Sequence, residues 1–290
     1  MATTLRIPAA DELADVLATL RTWQGEGPLH LHPGDLGWHH LRGARRTAED
    51  LRLWSREGRP AAMGMLDGPD LLRLAVDPDL GGDEPLARSL AADLLQAERG
   101  VLPAGQASVE ARSAHRLRTV LAEHGWSEGE AWVPLQRDLT GPAPATHGLA
   151  VEAVREDTVS EYTAVHRSAF GSGNLTDDRF STMTRGPAHR DAVSLLGREA
   201  SGTAVAIITV WSAGPDRPGL IEPLGVHRDH RGRGHGRTMC LVAAAQLRSM
   251  GASSAMVCTP RSLTGAVATY LSAGYRQLED VADLQRLPAR

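Results

Sequence analysis

The feature that most constrains the fold of this chain is an internal repeat that covers most of its length. Residues 74–79 (LAVDPD) resemble residues 224–229 (LGVHRD), which lie 150 positions later. Gly-Trp at 125 with LQR at 135 likewise resembles Gly-Tyr at 274 with LQR at 284, a displacement of 149 positions. Because two separate segments share nearly one displacement, the sequence predicts a duplicated domain.

Small residues and two prolines separate the two copies at residues 140–148 (TGPAPATHG). This composition sustains neither a helix nor a central strand and is typical of a linker. We therefore predict one domain at 1–139, a linker at 140–148 and a second domain at 149–290. A length of 290 residues suits two domains that each bury a core.

The second copy can be divided into helices and strands by its hydrophobic pattern and its turn residues. We expect helices from about Thr158, from Asp177, at 234–250 and at 264–272, and strands at 149–154, 193–196, 204–210, 220–226 and 254–258, with a closing strand pair. Pro223 interrupts one strand and predicts a bulge or kink there. The predicted fold class is α/β (α+β mixed), with two tandem domains that each have a mostly antiparallel mixed sheet flanked by helices.

Composition excludes several classes of partner. The net charge is −4 and the isoelectric point is near 6.3, so no bulk positive field attracts nucleic acid or an anionic membrane. No apolar run reaches membrane-spanning length, and the N-terminus lacks the pattern of a signal peptide. The two cysteines, Cys240 and Cys258, form no disulfide framework, which predicts a reducing, cytoplasmic location.

Residues 226–237 (VHRDHRGRGHGR) lie between a predicted strand and a predicted helix. Alternating glycines allow a tight turn and expose successive N–H groups at a helix N-terminus, where anions are favoured. Arginines add charge-assisted donors. The segment therefore predicts a pyrophosphate site, and the alternative is a surface loop with incidental arginines. The residues concerned are Arg231, Gly232, Arg233, Gly234, His235, Gly236 and Arg237.

Other phosphate-binding loops do not match this segment. The dinucleotide fingerprint needs two residues between its second and third glycines within a parallel βαβ unit. The P-loop needs a Gly-Lys-Ser/Thr sequence, and this chain contains no lysine. An Arg/Gly-rich RNA-binding segment is normally longer and disordered.

Two motifs carry a resemblance to a known family. Arg231-x-x-Gly234-x-Gly236, after a strand that ends in Leu-Gly-Val, resembles the acyl-CoA loop of the GNAT acetyltransferase superfamily. Ala266-x-x-Thr269-Tyr270-x-x-x-Gly274-Tyr275 resembles the second motif of that family. The resemblance covers the C-terminal half well and the N-terminal half only in outline.

This resemblance implies an N-acetyltransferase that uses acetyl-CoA as co-substrate. It implies direct attack by a primary amine of a small molecule in a ternary complex, with a non-catalytic acyl-CoA-binding sensor or scaffold as the alternative. Backbone groups of Leu224, Gly225 and Val226 would pair with the pantetheine arm, and amides from 231 to 237 would hold the pyrophosphate. The strand with Cys258 would diverge from the strand with Val226 to admit the thioester. The expected assembly is a monomer or a homodimer, and no metal site is expected.

The resemblance also suggests the acid and the base. Tyr270 occupies the position of the family's acid tyrosine, although a core tyrosine would give the same pattern. Glu222 lies on the motif strand and is the candidate base, although it could equally be a surface carboxylate. Two positions depart from the family: Leu263 stands where an asparagine is common, and Cys258 stands where some members carry a glutamate base.

The N-terminal copy lacks the same residues. Gly81, Asp83, Glu84 and Leu86 stand where the second copy has Arg231, Arg233, Gly234 and Gly236, and Leu121 replaces Tyr270. Carboxylates beside a pyrophosphate repel it. We therefore predict a degenerate domain without an acyl-CoA loop, which stabilises the fold and walls the acceptor pocket.

Residues 30–40 (HLHPGDLGWHH) are rich in histidine. Their spacing matches neither a helical i, i+4 metal pair nor a zinc knuckle. The pattern favours a polar loop between helices. One alternative is a metal site. Another is that Trp38 and the histidines face the acceptor cleft.

Overall fold

The computed structural model of the chain describes residues 2–25, 27, 29–141 and 148–288. It divides into two compact units. The first contains Met1–His32, Ala44–Trp132 and Asp280–Arg290, and the second contains Pro33–Gly43 and Val133–Glu279. Most of the predicted linker, residues 142–147, lies outside the described residues.

The helices and strands are numbered in chain order. The N-terminal repeat contains β1 (Thr3–Arg6), α1 (Leu13–Thr22), α2 (Pro33–His39), α3 (Ala44–Glu49), β2 (Leu51–Arg56), β3 (Arg59–Leu66), β4 (Leu71–Val76), α4 (Glu84–Leu95), β5 (Ala107–Glu110), α5 (His115–Glu123) and β6 (Ser127–Asp138). The C-terminal repeat contains β7 (Ala150–Ala153), α6 (Val159–Phe170), α7 (Asp177–Thr184), β8 (Ala192–Arg198), β9 (Ala204–Trp211), β10 (Gly219–Val226), α8 (His235–Ser249), β11 (Ser254–Pro260), α9 (Thr264–Ser272), β12 (Arg276–Gln277) and β13 (Val281–Arg286).

The first unit contains a sheet in the order β1-β2-β3-β4-β5-β13-β6. β4 and β5 are parallel, and the other adjacent strands are antiparallel. The helices α4 and α5 pack on the sheet through a core that includes Trp54, Leu90 and Leu121. The buried Trp54 indole donates to Asp93 over 2.8 Å, so its polar atom is satisfied inside the core.

The second unit contains the strand order β6-β11-β10-β9-β8-β7, with β12 beside β6. β10 and β11 are parallel, whereas β7, β8, β9 and β10 form an antiparallel series. α8 lies on this sheet, and Met239 and Leu247 from the helix pack in one core with Ile208 and Val210 from β9. The predicted mixed α/β fold is therefore confirmed.

The last strand of each repeat belongs, in whole or in part, to the unit that is formed mainly by the other repeat. Residues 133–138 of β6 belong to the second unit, where Leu135 pairs with Gln277 of β12. β13 belongs to the first unit, where Leu284 pairs with Val109 of β5. The matching LQR segments therefore lie in exchanged units, and the predicted closing strand pair is wrong, because β12 and β13 each pair with other strands.

The domain prediction of 1–139 and 149–290 describes the duplication of the sequence and stays a prediction. The compact units differ from it because packing, not chain order, assigns residues 33–43 to the second unit and β13 to the first. No helix in the described ranges is both long and apolar enough to cross a membrane.

The predicted polar loop at 30–40 is wrong, because residues 33–39 form the helix α2. Of residues 31–40, all of which are described, only Trp38 is not buried. Gly34 and Gly37 allow this helix to approach Trp211 of β9, since a Cβ on Gly34 would lie 2.6 Å from the Trp211 side chain and one on Gly37 would overlap the indole ring. Both glycines are therefore required for close packing.

Candidate active site

Two parallel strands of the second unit diverge as the family resemblance implied. β10 and β11 pair at Gly219–Ala255 and Leu220–Met256, and their register among the described residues goes no further. β10 nevertheless continues to Val226, and β11 continues to Pro260. Backbone groups of β10 that β11 leaves unpaired can therefore bind an extended ligand as an added strand would.

The bulge predicted at Pro223 is present on β10. The register with β9 shifts between Ile221 and Leu224, on either side of Glu222. The buried Trp211 indole donates to the Glu222 carbonyl over 2.7 Å and holds the backbone at this point. The bulge breaks the simple alternation of side chains along β10, so Glu222 does not share the face of Val226 through strand alternation alone.

Tyr270 lies on α9 and is 6% exposed. Its ring packs edge-to-face on Tyr275, with 5.7 Å between the ring centroids. Burial raises the pKa of Tyr270 well above its ordinary value, and the nearby Cys240, Tyr275 and Glu222 add to the increase. The raised pKa keeps the hydroxyl protonated at neutral pH. Since no described residue bonds to it, it is available as a donor.

The segment that joins β10 to α8 has the backbone of an anion site. Gly232 and Gly234 have φ angles of 76° and 84°, a conformation that other residues rarely adopt. α8 begins after Gly234, which provides no side-chain cap. Within the described ranges, no side chain accepts from the N–H groups of residues 231–237. These donors, at the positive end of a fifteen-residue helix, are therefore accessible to a bound anion.

The three predicted arginines do not come together at one point. Arg231 Nη2 donates to the Ala169 carbonyl over 2.5 Å, and its Nε donates to the Val226 carbonyl over 3.4 Å. Arg233 Nη1 donates to Glu199 over 3.2 Å, and Arg237 Nε donates to the Ser272 carbonyl over 2.9 Å. Each long side chain thus has its own partner within the chain, which sequence spacing does not indicate.

Two glycines near the loop are required for packing. A Cβ on Gly236 would lie 2.9 Å from Thr269 of α9, and one on Gly225 would lie 2.9 Å from Ala169 of α6. In contrast, a Cβ on Gly232 or Gly234 would meet no atom within 4 Å. The first pair therefore brings helices close to the site, whereas the second pair sets the loop conformation.

The remaining predicted residues lie on the same unit. Leu224 and Val226 are partly buried at the end of β10, and His235 is the buried first residue of α8. Cys258 is partly buried on β11, whereas burial raises the pKa of the Cys240 thiol to about 12. Leu263, at the position of the family's asparagine, is 54% exposed just before α9.

One cluster in this unit has the side chains of a metal site. Glu199, His230 and His235 place three potential ligand atoms within 4.8 Å of one another. Arg233 lies 3.2 Å from the same carboxylate oxygen that both imidazoles approach. The carboxylate charge is therefore already opposed by a guanidinium, and we assign no metal to this cluster.

α2 and α6 form an aromatic surface that the sequence only partly indicated. His166 stacks between Trp38 and Phe170, with centroid distances of 5.6 and 4.6 Å. Burial lowers the pKa of His166 to about 4, and Arg167 adds to this effect. Its buried Nδ1 has no hydrogen-bond partner within the described part of the chain. The surface therefore combines apolar rings with one neutral imidazole.

The corresponding loop of the first unit has its helix cap occupied. Asp83 is the N-cap of α4, where its side chain accepts from the Leu86 amide over 2.7 Å. The same carboxylate accepts two hydrogen bonds from Arg56, and its pKa falls to about 2. Glu84 pairs with Arg116. A side-chain carboxylate therefore takes the place that an anionic ligand would need.

Trp211 and Glu199 are contacts of the site that sequence reasoning missed. Trp211 contributes through its bond to the Glu222 carbonyl, and Glu199 contributes through its bonds to the segment before α8. Neither residue belongs to a spaced motif, so no local pattern distinguishes them from other strand residues. His166 was also missed, although the histidine-rich segment around Trp38, on which it packs, indicated that this region could face the acceptor.

Comparison with known proteins finds similarity in the C-terminal half and along most of the chain. Residues 151–275 match the profile of the acetyltransferase (GNAT) family. Mycothiol acetyltransferase of Thermobispora bispora is 28% identical to this chain over 262 residues, which cover 80% of this chain and 87% of the relative.

Solved structures share the fold over the whole chain. A tandem GNAT protein from the clavulanic acid biosynthesis pathway has a TM-score of 0.62 and 16% identity and covers all of both chains. A GCN5-related N-acetyltransferase from Sphaerobacter thermophilus has a TM-score of 0.57 and 21% identity, covering 98% of this chain and 95% of its own. At these identities the similarity concerns the fold.

Proposed function

We propose that this chain, whose residues 151–275 form a GNAT acetyltransferase domain, transfers the acetyl group of acetyl-CoA to a primary amine of a small molecule. The family implies acetyl transfer from acetyl-CoA, and the amine acceptor and direct attack are our inference. The observation that carries the proposal is the end of the loop before α8 together with the first turn of that helix. The N–H groups of residues 231–237 there lack side-chain acceptors among the described residues. This segment adjoins the divergence of β10 and β11.

Backbone groups are expected to make most of the contacts with acetyl-CoA. Leu224, Gly225 and Val226 supply the strand edge for the pantetheine arm. The amides of 231–237 supply donors for the diphosphate at the N-terminus of α8. The guanidiniums of Arg231 and Arg237 exchange their backbone carbonyl partners for phosphate oxygens, which form stronger charge-assisted bonds. Arg233 keeps its bond to Glu199 and contributes its backbone amide.

The transfer from a protonated amine removes two protons from its nitrogen and supplies one to the leaving thiolate. The protonated amine loses one proton to Glu222, either directly or through water, and the freed lone pair forms the C–N bond while the C–S bond breaks. The nitrogen then loses its second proton to solvent, which leaves a neutral amide. Tyr270 gives its hydroxyl proton to the leaving thiolate and recovers one from solvent. The high pKa of Tyr270 keeps that proton in place until the thiolate develops.

The acceptor is expected to contact the surface of α2 and α6. Trp38, His166 and Phe170 offer apolar rings and a neutral imidazole, which suit an uncharged or ring-bearing part of a small amine. α2 comes from the N-terminal repeat but belongs to the second unit, which supports the idea that this repeat walls the acceptor pocket. The similarity to mycothiol acetyltransferase places the acceptor of that enzyme among the first compounds to test.

A coupled assay tests the proposal. Acetyl-CoA, a panel of amines and a thiol-detecting dye are mixed with the protein, and CoA binding is measured separately by calorimetry. We expect thiol release that depends on one or more amines. CoA binding without amine-dependent thiol release would instead indicate the acyl-CoA sensor, and absence of CoA binding would refute both functions.

A further inference from the structure

We propose that Glu199 is a positioning residue for the pyrophosphate loop, which we define as residues 227–234 between β10 and α8. Glu199 directly follows β8, in the turn that leads to β9. It lies far from the loop in sequence and belongs to neither family motif. The inference rests on the proposed function, because it assigns a role in binding the same co-substrate.

A single carboxylate oxygen of Glu199 is the acceptor for three side chains of the loop region. His230 Nδ1 lies 3.1 Å from it, Arg233 Nη1 lies 3.2 Å from it and His235 Nε2 lies 2.9 Å from it. The three residues stand within the loop and at the first position of α8. One carboxylate thus holds the loop at His230 and Arg233 and the start of α8 at His235.

The bonds are charge-assisted, and the carboxylate stays ionised. The hydrogen bonds from His230 and His235 are the largest causes that lower the pKa of Glu199, which falls to about 2. The side chain of Glu199 is 23% exposed, whereas that of His235 is 8% exposed. The contact is therefore partly shielded from water, which favours a defined geometry over a transient surface ion pair.

The first unit contains a corresponding ion pair in which the positions of the positive and negative side chains are exchanged. Arg56 is the last residue of β2, and its guanidinium forms two hydrogen bonds, of 3.0 and 2.8 Å, to Asp83 before α4. β2 is followed by β3 and β4, and β8 is followed by β9 and β10, where β4 and β10 are the strands that lead into the two loops. In each repeat, then, the turn beside the loop is connected to the loop by an ion pair. In the second unit the anion lies on the turn, so the loop keeps its cationic groups.

An ordered loop lowers the cost of binding a diphosphate. Gly232 and Gly234 give the backbone many alternative conformations, and fixing them on binding would cost conformational entropy. Because Glu199 restricts the loop in the free protein, less conformational entropy is lost when the ligand binds. Its own negative charge opposes the diphosphate, but the guanidinium of Arg233 offsets that charge. Removal of Glu199 is therefore expected to weaken CoA binding and to leave the chemical step unchanged.

The test compares Glu199→Gln with a matched control, Glu161→Gln. Glu161 on α6 accepts two hydrogen bonds from the guanidinium of Arg198, the residue before Glu199. Among the described residues it forms no hydrogen bond or ion pair with the loop. Calorimetry with CoA in the presence of EDTA is expected to give a dissociation constant about tenfold higher for Glu199→Gln, since charge-assisted bonds at a partly exposed site are lost. Glu161→Gln is expected to bind CoA as the wild type does.

Steady-state kinetics supply a readout that general destabilisation would not give. We expect the KM for acetyl-CoA to rise in Glu199→Gln while kcat and the KM for the amine stay within about twofold. Glu199→Asp keeps the charge but shortens its reach, so its dissociation constant is expected between those of the wild type and Glu199→Gln. The Asp variant also serves as the test if the Gln variant does not fold.

Two results would overturn the inference. One is a Glu199→Gln or Glu199→Asp protein that binds CoA as tightly as the wild type or more tightly, and the other is a loss of affinity that disappears in EDTA, because that would indicate a metal at the cluster. If the wild type itself binds no CoA, the proposed function fails instead, so the two failures are distinguishable.

Discussion

Replacing Gly234 with Glu or with Gln tests the anion site directly. An added Cβ at Gly234 would meet no atom within 4 Å, so neither side chain is sterically excluded. The φ angle of 84° costs either residue about 1–2 kcal/mol of backbone strain, which the two variants share. The difference between them is one negative charge. At about 6 Å from the diphosphate and an effective dielectric of about 20–80, that charge costs roughly 0.7–2.8 kcal/mol.

This energy predicts that Gly234→Glu binds CoA about 3- to 100-fold more weakly than Gly234→Gln. Calorimetry at low salt measures the ratio of the two dissociation constants, and repetition at about 1 M salt should reduce it, since the screening length falls to about 3 Å. Thermal unfolding is the control, because shared strain predicts similar melting temperatures. Equal affinities of the two variants at low salt would show that no anion binds beside residue 234.

Four further predictions follow from individual contacts. Tyr270→Phe keeps the ring packing, so we expect kcat to fall about 100-fold or more with an unchanged dissociation constant for CoA; full activity would exclude Tyr270 as the acid. Glu222→Gln should slow turnover at neutral pH, and pH–rate profiles should show the deficit shrinking as the amine deprotonates without help; an equal deficit at every pH would indicate a positional role. Gly37→Val places a side chain into the indole beneath α2 and should destabilise the protein by about 1–3 kcal/mol or more in urea unfolding, whereas Gly265→Ala, in open space on α9, should stabilise it by about 0.5–1 kcal/mol. His166 has its pKa lowered to about 4 in the folded protein, so its contribution to stability is present above the unfolded pKa near 6.5 and is lost as pH falls toward 4. Urea unfolding between pH 7 and 4 should therefore show a smaller loss for His166→Gln than for the wild type, by at most about 3 kcal/mol.

Local sequence signals predicted the elements that carry the chemistry. The helix predicted at 264–272 is α9, and the helix predicted at 234–250 is α8, which spans His235–Ser249. The bulge at Pro223 was predictable because proline cannot supply a ladder hydrogen bond. The assignment of Tyr270 and Glu222 as acid and base stays a prediction, since their roles depend on a bound ligand.

The sequence misled where the histidine-rich segment at residues 30–40 was interpreted as a polar loop. In α2, Gly34 and Gly37 instead remove side chains so that the helix can lie on Trp211. A glycine that serves close packing and a glycine that serves a turn have the same local pattern. The difference lies in the partner, which is distant in the chain.

By itself, the sequence predicted the duplication, the mixed α/β class and the glycine-rich segment before α8, because repeats, hydrophobic periods and helix starts are set by neighbouring residues. Only the tertiary structure decided that β13 and residues 133–138 lie in exchanged units, that Trp211 holds the Glu222 carbonyl and that Glu199 accepts from the loop. These contacts join residues on different strands, turns and helices, so packing of whole elements selects them, and no spacing along the sequence encodes which partner is chosen.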